Sequence, residues 1–527
     1  MCTTTEAVVT NKSHNAAYYR LIAKNQSEAN EKPAGWQTAK PYSEVPGPKP
    51  LPVLGNLWRF FPGIGTYGDL DILAQQYRFN EEYGQIVKLS NMKIRPDMVF
   101  LFDPKDIEMI YRNEGMWPQR YGMDSIVHYR LKVRKDIFQG QGGLLTSQGE
   151  QWFETRSVVN QPLMKPRSAQ QYVGVVDTVT QDLISRIDYL MHKHPQGEMP
   201  EDFLNELAKW AVESVCAIGL DKRLGLLESN LSPNSAEQTF INDVLEFFIL
   251  LNELDMKVSL WKIWSTPTWK RYVTLLDRIL DFQKKNMDDA IAKLEKMERV
   301  ERTQAEMSIL EQLLKKDRKI ALAMIFDMFL AGVDTTSRTA GAALYFLAKN
   351  QQAQERLRAE VRSALPNKNS PVTKDALNNM PYLRAVIKET TRMAPISSAN
   401  MRRLSKDIVL SGYQIPKGTD VMTAHLILSL QDKYFVKAKE FIPERWMRGE
   451  KEQWTSQDAN PFISLPFGFG PRSCVGRRLA QLELDIIVAK IARNYTWSWP
   501  HEDMKWVNEL LYGVGSPLKY HMKPLAE

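Results

Sequence analysis

Residues 466–480 read PFGFGPRSCVGRRLA, placing Cys474 after a loop with two glycines and an arginine and before an expected helix. A thiolate at a helix N-terminus is favoured by exposed backbone N–H groups and by the positive end of the helix dipole. The other cysteines, Cys2 and Cys216, are far away in sequence. Three well-separated cysteines make no disulfide framework and point to a reducing compartment; they also exclude a single-chain four-cysteine iron–sulfur cluster. There is no CxxC pair, and no histidine lies within a few residues of Cys474, which argues against structural zinc.

The flanking residues indicate what a lone thiolate could hold. Gly468 and Gly470 would let the backbone pass flat beneath a large planar group, where a Cβ would collide. Phe467 could shield the sulfur from water, and Arg472 could pair with an anionic edge of the same group. These needs match a haem iron ligated by cysteine thiolate, which donates electron density and favours O–O cleavage. The plainer alternative is a buried structural cysteine beside a glycine turn.

A second candidate lies in residues 320–348, IALAMIFDMFLAGVDTTSRTAGAALYFLA, a stretch apolar nearly all round that predicts a helix crossing the core. Its middle, AGVDTT at 331–336, sets Asp334, Thr335 and Thr336 in a greasy surface. Burying a carboxylate costs several kcal/mol unless it is paired or near water. Gly332 weakens the helix by about 1 kcal/mol relative to alanine. Two penalties at one place fit a functional site or a water-satisfied polar kink.

The elements that must position these residues are mostly helical. At 527 residues, 43% hydrophobic and 25% charged, the chain can bury a large core, and no flexible linker interrupts its middle. The expected organisation is a tail over 1–45 and a single domain over 46–527. The tail has five basic residues (Lys12, Arg20, Lys24, Lys32, Lys40) and four acidic ones (Glu6, Glu28, Glu31, Glu44), reads as poorly structured, and makes a weak transit peptide. No run of about 18 apolar residues predicts a membrane-spanning anchor. PGPKPLPVLGN at 46–56 is a proline-rich bridge pinning the tail to the folded body. Strands are expected at 85–90 and 97–102, then a helix from Asp103-Pro104 that stops at Gly115. Residues 165–365 carry helical periodicity, and the charged stretch 283–318 reads as a solvated helix face. DIVLSGYQIPKGT at 407–419 alternates like a hairpin around Ser411-Gly412. The fold class is mainly α with a small β-rich subdomain. A net charge of +7 suits a local basic docking patch better than a surface that coats nucleic acid.

Phe467-Gly-Phe-Gly-Pro-Arg472-Ser-Cys474-Val-Gly476 resembles the haem-binding signature of cytochrome P450 monooxygenases. Other motifs follow in that family's order. Trp152-Phe-Glu-Thr-Arg156 resembles the helix whose Trp and Arg meet haem propionates, and AGVDTT resembles the oxygen-activation motif of the long central helix over the haem. Glu389-Thr-Thr-Arg392 resembles the ExxR helix, and Glu444-Arg445 in FIPERW the segment that completes a Glu–Arg–Arg cluster. The resemblance implies haem b, with Cys474 as axial iron ligand and Trp152, Arg156, Arg402, Phe467 and Arg472 around it. It implies a structural cluster of Glu389, Arg392 and Arg445, with Asp334 and Thr335 guiding protons to dioxygen. Glu389 and Arg392 are three apart and share a helix face, so they can form a charge-assisted pair. Arg403 beside Arg402 leaves the choice between those two open.

YLRAVIKET, PGPKPLP and RNEGMWPQR most resemble insect mitochondrial P450s. That branch implies electrons from NADPH through ferredoxin reductase and an adrenodoxin-type ferredoxin, docked on Arg384, Lys388, Arg477 and Arg478, on the matrix side of the inner mitochondrial membrane. Arg392 continues the Arg384/Lys388 stripe, so a helical wheel does not separate docking from structural roles. The substrate regions implied are 118–142, Phe326, Phe329, Leu330 and Ala331, Ile396 to Asn400, and 510–517. Their apolar character implies a lipophilic substrate, xenobiotic or steroid-like. VSLWKIWSTPTW at 258–269 suits peripheral membrane contact or packing over the pocket. A haem-thiolate isomerase or dehydratase working without external electrons, or a haem sensor, are the competing functions.

Overall fold

The computed structural model describes residues 32–526 except 92–95, 195, 229–230, 258–259, 297–306, 451–452, 455–458 and 516. Its axis is one helix, Arg318–Lys349, whose first turn is capped by the Asp317 carboxylate accepting from Lys319 and Ile320 N–H. This helix packs chiefly against Phe203–Leu220, itself buried on nearly every face, and against Arg477–Asn494. A helix apolar all round has no solvent face to keep, which explains its central place. Among the described residues it is the one helix long and apolar enough to cross a membrane, and 67% of its most apolar window is buried in protein.

The smaller β part consists of one four-stranded sheet and three two-stranded ones among the described residues. Strands β1 (Ile86–Leu89), β2 (Met98–Leu101), β3 (Asn400–Arg403) and β6 (Asp420–Thr423) form one sheet in the order β1-β2-β6-β3. The β2–β6 pair is parallel, with Met98 opposite Asp420, so residues 322 apart in sequence become neighbours. Strands β4 (Ile408–Leu410) and β5 (Tyr413–Ile415) make the expected hairpin. Ser411 and Gly412 both have positive φ (48° and 79°), the two-residue geometry whose twist suits a hairpin. Further along, β7 (Tyr495–Ser498) pairs with β10 (His521–Pro524), and β8 (Trp506–Asn508) with β9 (Tyr512–Val514).

Several expectations need correction. The helix after Asp103 runs Pro104–Arg112 and closes at Asn113, whose side chain and backbone N–H both reach the Met109 carbonyl, so it ends before Gly115. The stretch 283–318 is not simply a solvated face. Gln283, Asn286, Met287 and Ala290 are buried in the helix Pro267–Lys296, and Ile309, Leu310 and Leu313 are buried in a short helix started by a Ser308/Glu311 capping box. Charge density hid these apolar positions. Residues 297–306 of that stretch, and 1–31 of the tail, lie outside the described residues. The described part of the tail is folded: Lys40 N–H donates to Gly412 O (2.9 Å) and Gln414 N–H to Lys40 O (2.8 Å), adding an edge to the hairpin. The proline-rich bridge is held by Lys88 N–H donating to Pro46 O (2.7 Å).

Candidate functional site

Cys474 closes a tight loop. Its N–H donates to Phe467 O (2.9 Å), and Ser473 N–H donates to Gly470 O (3.1 Å). Gly468 and Gly470 sit at φ 69° and 73°, a region costly for other residues. Among protein atoms, a Cβ on Gly468 would meet only Ser473 Cα at 3.7 Å, so within the protein its positive φ sets the requirement. A Cβ on Gly470 would lie 2.1 Å from Glu114 Oε1. Burial by the surrounding chain pushes the Cys474 thiol above its ordinary pKa, although the residue is exposed. The Gly476 N–H and the charges of Arg156, Arg120 and Arg477 pull it back. Phe467 is half-buried with the Arg477 guanidinium 5.6 Å from its ring centroid.

Four arginines from four segments act on one another beside this loop. The Arg472 guanidinium lies 4.1 Å over the buried Trp152 ring. It donates to Pro118 O (2.8 Å), Ser147 O (2.8 Å) and Gln148 Oε1 (2.9 Å), yet Nη1 is buried without a partner. Arg156, one helical turn after Trp152, is buried with Nε unpartnered. Arg402 is buried and donates through Nε to Glu114 Oε2 at 2.6 Å. The fourth, Arg120, was not foreseen. Its backbone N–H donates to Gln148 Oε1 (3.0 Å), and Gln148 Nε2 donates back to Arg120 O. Burial, then repulsion from Arg120, Arg402 and Arg156, drops the Arg472 pKa to about 8; burial and Arg402 drop that of Arg120 to about 10. Buried positive charge in excess of its counter-charge costs several kcal/mol, and a dianionic edge would remove the excess. The unpartnered donors, the net charge and the nearby thiol fit a haem carrying two propionates.

The Glu–Arg–Arg cluster is sealed, with side-chain exposure of 0% for Glu389, Arg392 and Arg445. Arg392 donates to both Glu389 oxygens at 2.8 Å. Arg445 Nε (3.0 Å), Ile442 N–H (3.0 Å) and Trp446 Nε1 (2.9 Å) complete the shell. The remaining guanidinium donors reach carbonyls of Ser429, Ala438, Lys437 and Trp454, tying the helix Pro381–Met393 to the chain over 429–454. No substrate reaches so enclosed a cluster, so its geometry is that of a brace.

On the central helix, Thr335 Oγ donates to Ala331 O (2.6 Å) and the side chain is half-buried. Asp334 is buried and accepts from Arg338 Nε at 2.7 Å, while its Oδ2 has no partner. Arg338, four residues on and so on the same face, also donates through Nη1 to Val514 O (2.7 Å) on β9. Burial raises the Asp334 pKa and Arg338 opposes the rise. Gly332 serves close packing, because a Cβ there would lie 3.0 Å from Val215 Cγ2.

The family comparison completes this description. The cytochrome P450 family model matches residues 45–522. The chain belongs to the cytochrome P450 family. The chain is 39% identical to cytochrome P450 CYP12A2 of Musca domestica over 509 residues, 94% of each chain. It is 39% identical to the probable cytochrome P450 12a5, mitochondrial, of Drosophila melanogaster, covering 92% of this chain and 91% of that one. Identity to the probable cytochrome P450 301a1, mitochondrial, of the same organism is 36%, over 92% and 88%. As a P450, the chain is a haem b monooxygenase.

The remaining P450 candidates divide. Phe326, Phe329 and Leu330 are enclosed by protein at 0% exposure: Phe326 packs edge-on to Phe138 and Phe329 edge-on to Phe240. In this structure they pack within the core. Ala331 and Ile396 are half-buried, and Ile396 O accepts Tyr512 N–H (2.9 Å), joining the 396–400 and 510–517 walls. The 118–142 segment is anchored by the buried Arg130–Asp327 pair, whose acid also accepts Leu144 N–H (2.7 Å). Among the basic residues expected to dock a ferredoxin, Lys388, Arg477 and Arg478 are exposed. Arg384 is half-buried, its guanidinium donating to Leu377 O (3.0 Å) and Asn378 O (3.1 Å), so a structural task occupies it.

Proposed function

We propose that this P450 is a mitochondrial, ferredoxin-driven monooxygenase of a lipophilic substrate, xenobiotic or steroid-like, with Cys474 as its axial iron ligand. The carrying observation is the set of mutually repelling arginines, Arg120, Arg156, Arg402 and Arg472, beside a thiol at the start of Arg477–Asn494. Haem b supplies oxygen-activating chemistry when bound. Trp152, Arg156, Arg402, Arg472 and Arg120 hold its anionic edge; Phe467 limits water at the sulfur. Glu389, Arg392 and Arg445 brace the chain beneath. Reaction with isotopically labelled dioxygen and NADPH, through ferredoxin reductase and an adrenodoxin-type ferredoxin, puts one labelled oxygen atom into an apolar product. Label arriving from water instead would remove the monooxygenase reading for that substrate.

Asp334 and Thr335 supply the proton path. The Thr335 hydroxyl spends its proton on Ala331 O, which orients its oxygen as an acceptor, so it passes a proton on only by turning away from that carbonyl. Asp334 is held by Arg338, so the acid moves protons only as that pair loosens. Thr335→Ala is expected to lower the fraction of NADPH electrons recovered in product several-fold, with the balance appearing as hydrogen peroxide. Unchanged coupling would remove Thr335 from the path.

The names of the relatives support the mitochondrial class, and the exposed Lys388, Arg477 and Arg478 support docking of an acidic ferredoxin. Attraction between such patches speeds encounter and weakens with salt. Lys388→Glu with Arg478→Glu is expected to slow ferredoxin-supported reduction at least about tenfold at low salt while leaving dithionite reduction unchanged. Equal rates for variant and wild type would move the docking surface elsewhere.

Of the 258–269 segment, 258–259 lie outside the described residues. Trp261 packs inward, stacked on Trp269 at 4.6 Å with His128 edge-on to both. Ile263 and Trp264 point out, 75% and 55% exposed, which suits a peripheral lipid contact at the inner membrane.

A further inference from the structure

Glu114 follows the helix Pro104–Arg112, but that helix is closed by Asn113, so the helix end makes no use of the carboxylate. The Glu114 side chain is only 4% exposed. Its Oε2 accepts Arg402 Nε at 2.6 Å, and its Oε1 is buried with no hydrogen-bond donor. Facing Oε1 is Gly470 of the Cys474 loop, whose missing Cβ leaves the room that the carboxylate fills. Residues from three distant segments thus converge to put a buried carboxylate between Arg402 and the thiol-bearing loop; burial raises its pKa, and the charges of Arg402 and Arg472 oppose the rise and favour the anion. Leaving one carboxylate oxygen without a donor is costly in stability, which points to a task beyond packing.

We propose that Glu114 is a positioning residue that holds Arg402 for a haem propionate and, by its charge, biases bound haem iron toward the oxidised state. The inference rests on haem bound at Cys474. Four guanidiniums against two propionates leave two positive charges, and Glu114 reduces these to one. An electron added nearby is stabilised by positive charge, so removing the carboxylate favours the reduced iron and raises the reduction potential. Glu114→Gln keeps the shape and an oxygen that can accept from Arg402; Glu114→Asp keeps the charge.

The test is the midpoint potential of the haem-loaded wild type, E114Q and E114D proteins, with the carbon monoxide spectrum of each recorded alongside. E114Q is expected to shift the oxidised–reduced equilibrium about tenfold toward reduced iron, about 59 mV for one electron. E114D should shift it by less than half as much. An unchanged potential in E114Q with a normal thiolate–carbon monoxide band overturns the proposal, as does an E114D shift as large as that of E114Q. If E114Q retains no haem, E114D decides: normal loading supports a need for the charge, and failure of both assigns Glu114 to packing. A wild type without the thiolate band would instead refute ligation by Cys474, a separate outcome.

Discussion

Replacing Cys474 by serine is expected to abolish NADPH-supported oxidation while leaving the fold intact. The loop is shaped by backbone bonds, Cys474 N–H to Phe467 O and Ser473 N–H to Gly470 O, and by two glycines at positive φ. Serine keeps all of these. What it loses is a group that can become an anion near neutral pH, since a hydroxyl holds its proton far more tightly than a thiol of ordinary pKa about 8.5. Arg156, Arg120 and Arg477 help the Cys474 thiol lose its proton, although burial opposes them. The variant should fold, take up haem through its propionate contacts, lose the red-shifted carbon monoxide band and turn over at background. Cys216 provides the contrast. It is fully buried in Phe203–Leu220, where burial pushes its thiol well up, so Cys216→Ala should leave the band unchanged. Turnover retained in Cys474→Ser would refute the thiolate assignment.

The second large effect is on stability. Glu389→Gln removes a charge that two buried arginines share, and breaking a buried ion pair from one side costs about 3–5 kcal/mol. The amide can still accept from Arg392 but leaves uncompensated positive charge at Arg445, and its NH2 group would confront either the Ile442 N–H and Arg445 Nε–H donors in the place of one oxygen or the Trp446 Nε1–H donor in the place of the other. Because the cluster ties the helix Pro381–Met393 to residues 429–454, the loss should loosen that whole connection. Thermal and urea unfolding, with haem content measured in parallel, should show a marked fall in both midpoint and haem retained. Wild-type values for both would mean the cluster is not a brace.

These two effects were the more legible ones because each motif is local. FGFGPRSCVG carries its glycines, arginine and cysteine within ten residues, and Glu389 and Arg392 share a face by spacing alone. The central helix declared itself by being apolar on all sides. The same property gives no sign of which residues border open space; Phe326, Phe329 and Leu330 are surrounded by protein. Arg120 and Glu114 were hidden for a different reason. Their partners, Gln148 for one and Arg402 and Gly470 for the other, come from distant segments that only the folded chain brings together. Arg338 lay in plain sight four residues after Asp334, and the spacing could have named it as the partner of that buried acid. The buried positions within 283–318 were masked by the charges around them.

The most direct measurement is the carbon monoxide difference spectrum of the haem-loaded protein, reduced by NADPH through ferredoxin reductase and an adrenodoxin-type ferredoxin. Parallel samples reduced by dithionite and by a diflavin reductase complete it. A strongly red-shifted thiolate–carbon monoxide band is predicted with ferredoxin and with dithionite, and a much weaker one with the diflavin reductase. A band with dithionite and the diflavin reductase but not with ferredoxin would contradict the electron source, and no red-shifted band with any reductant would contradict ligation by Cys474.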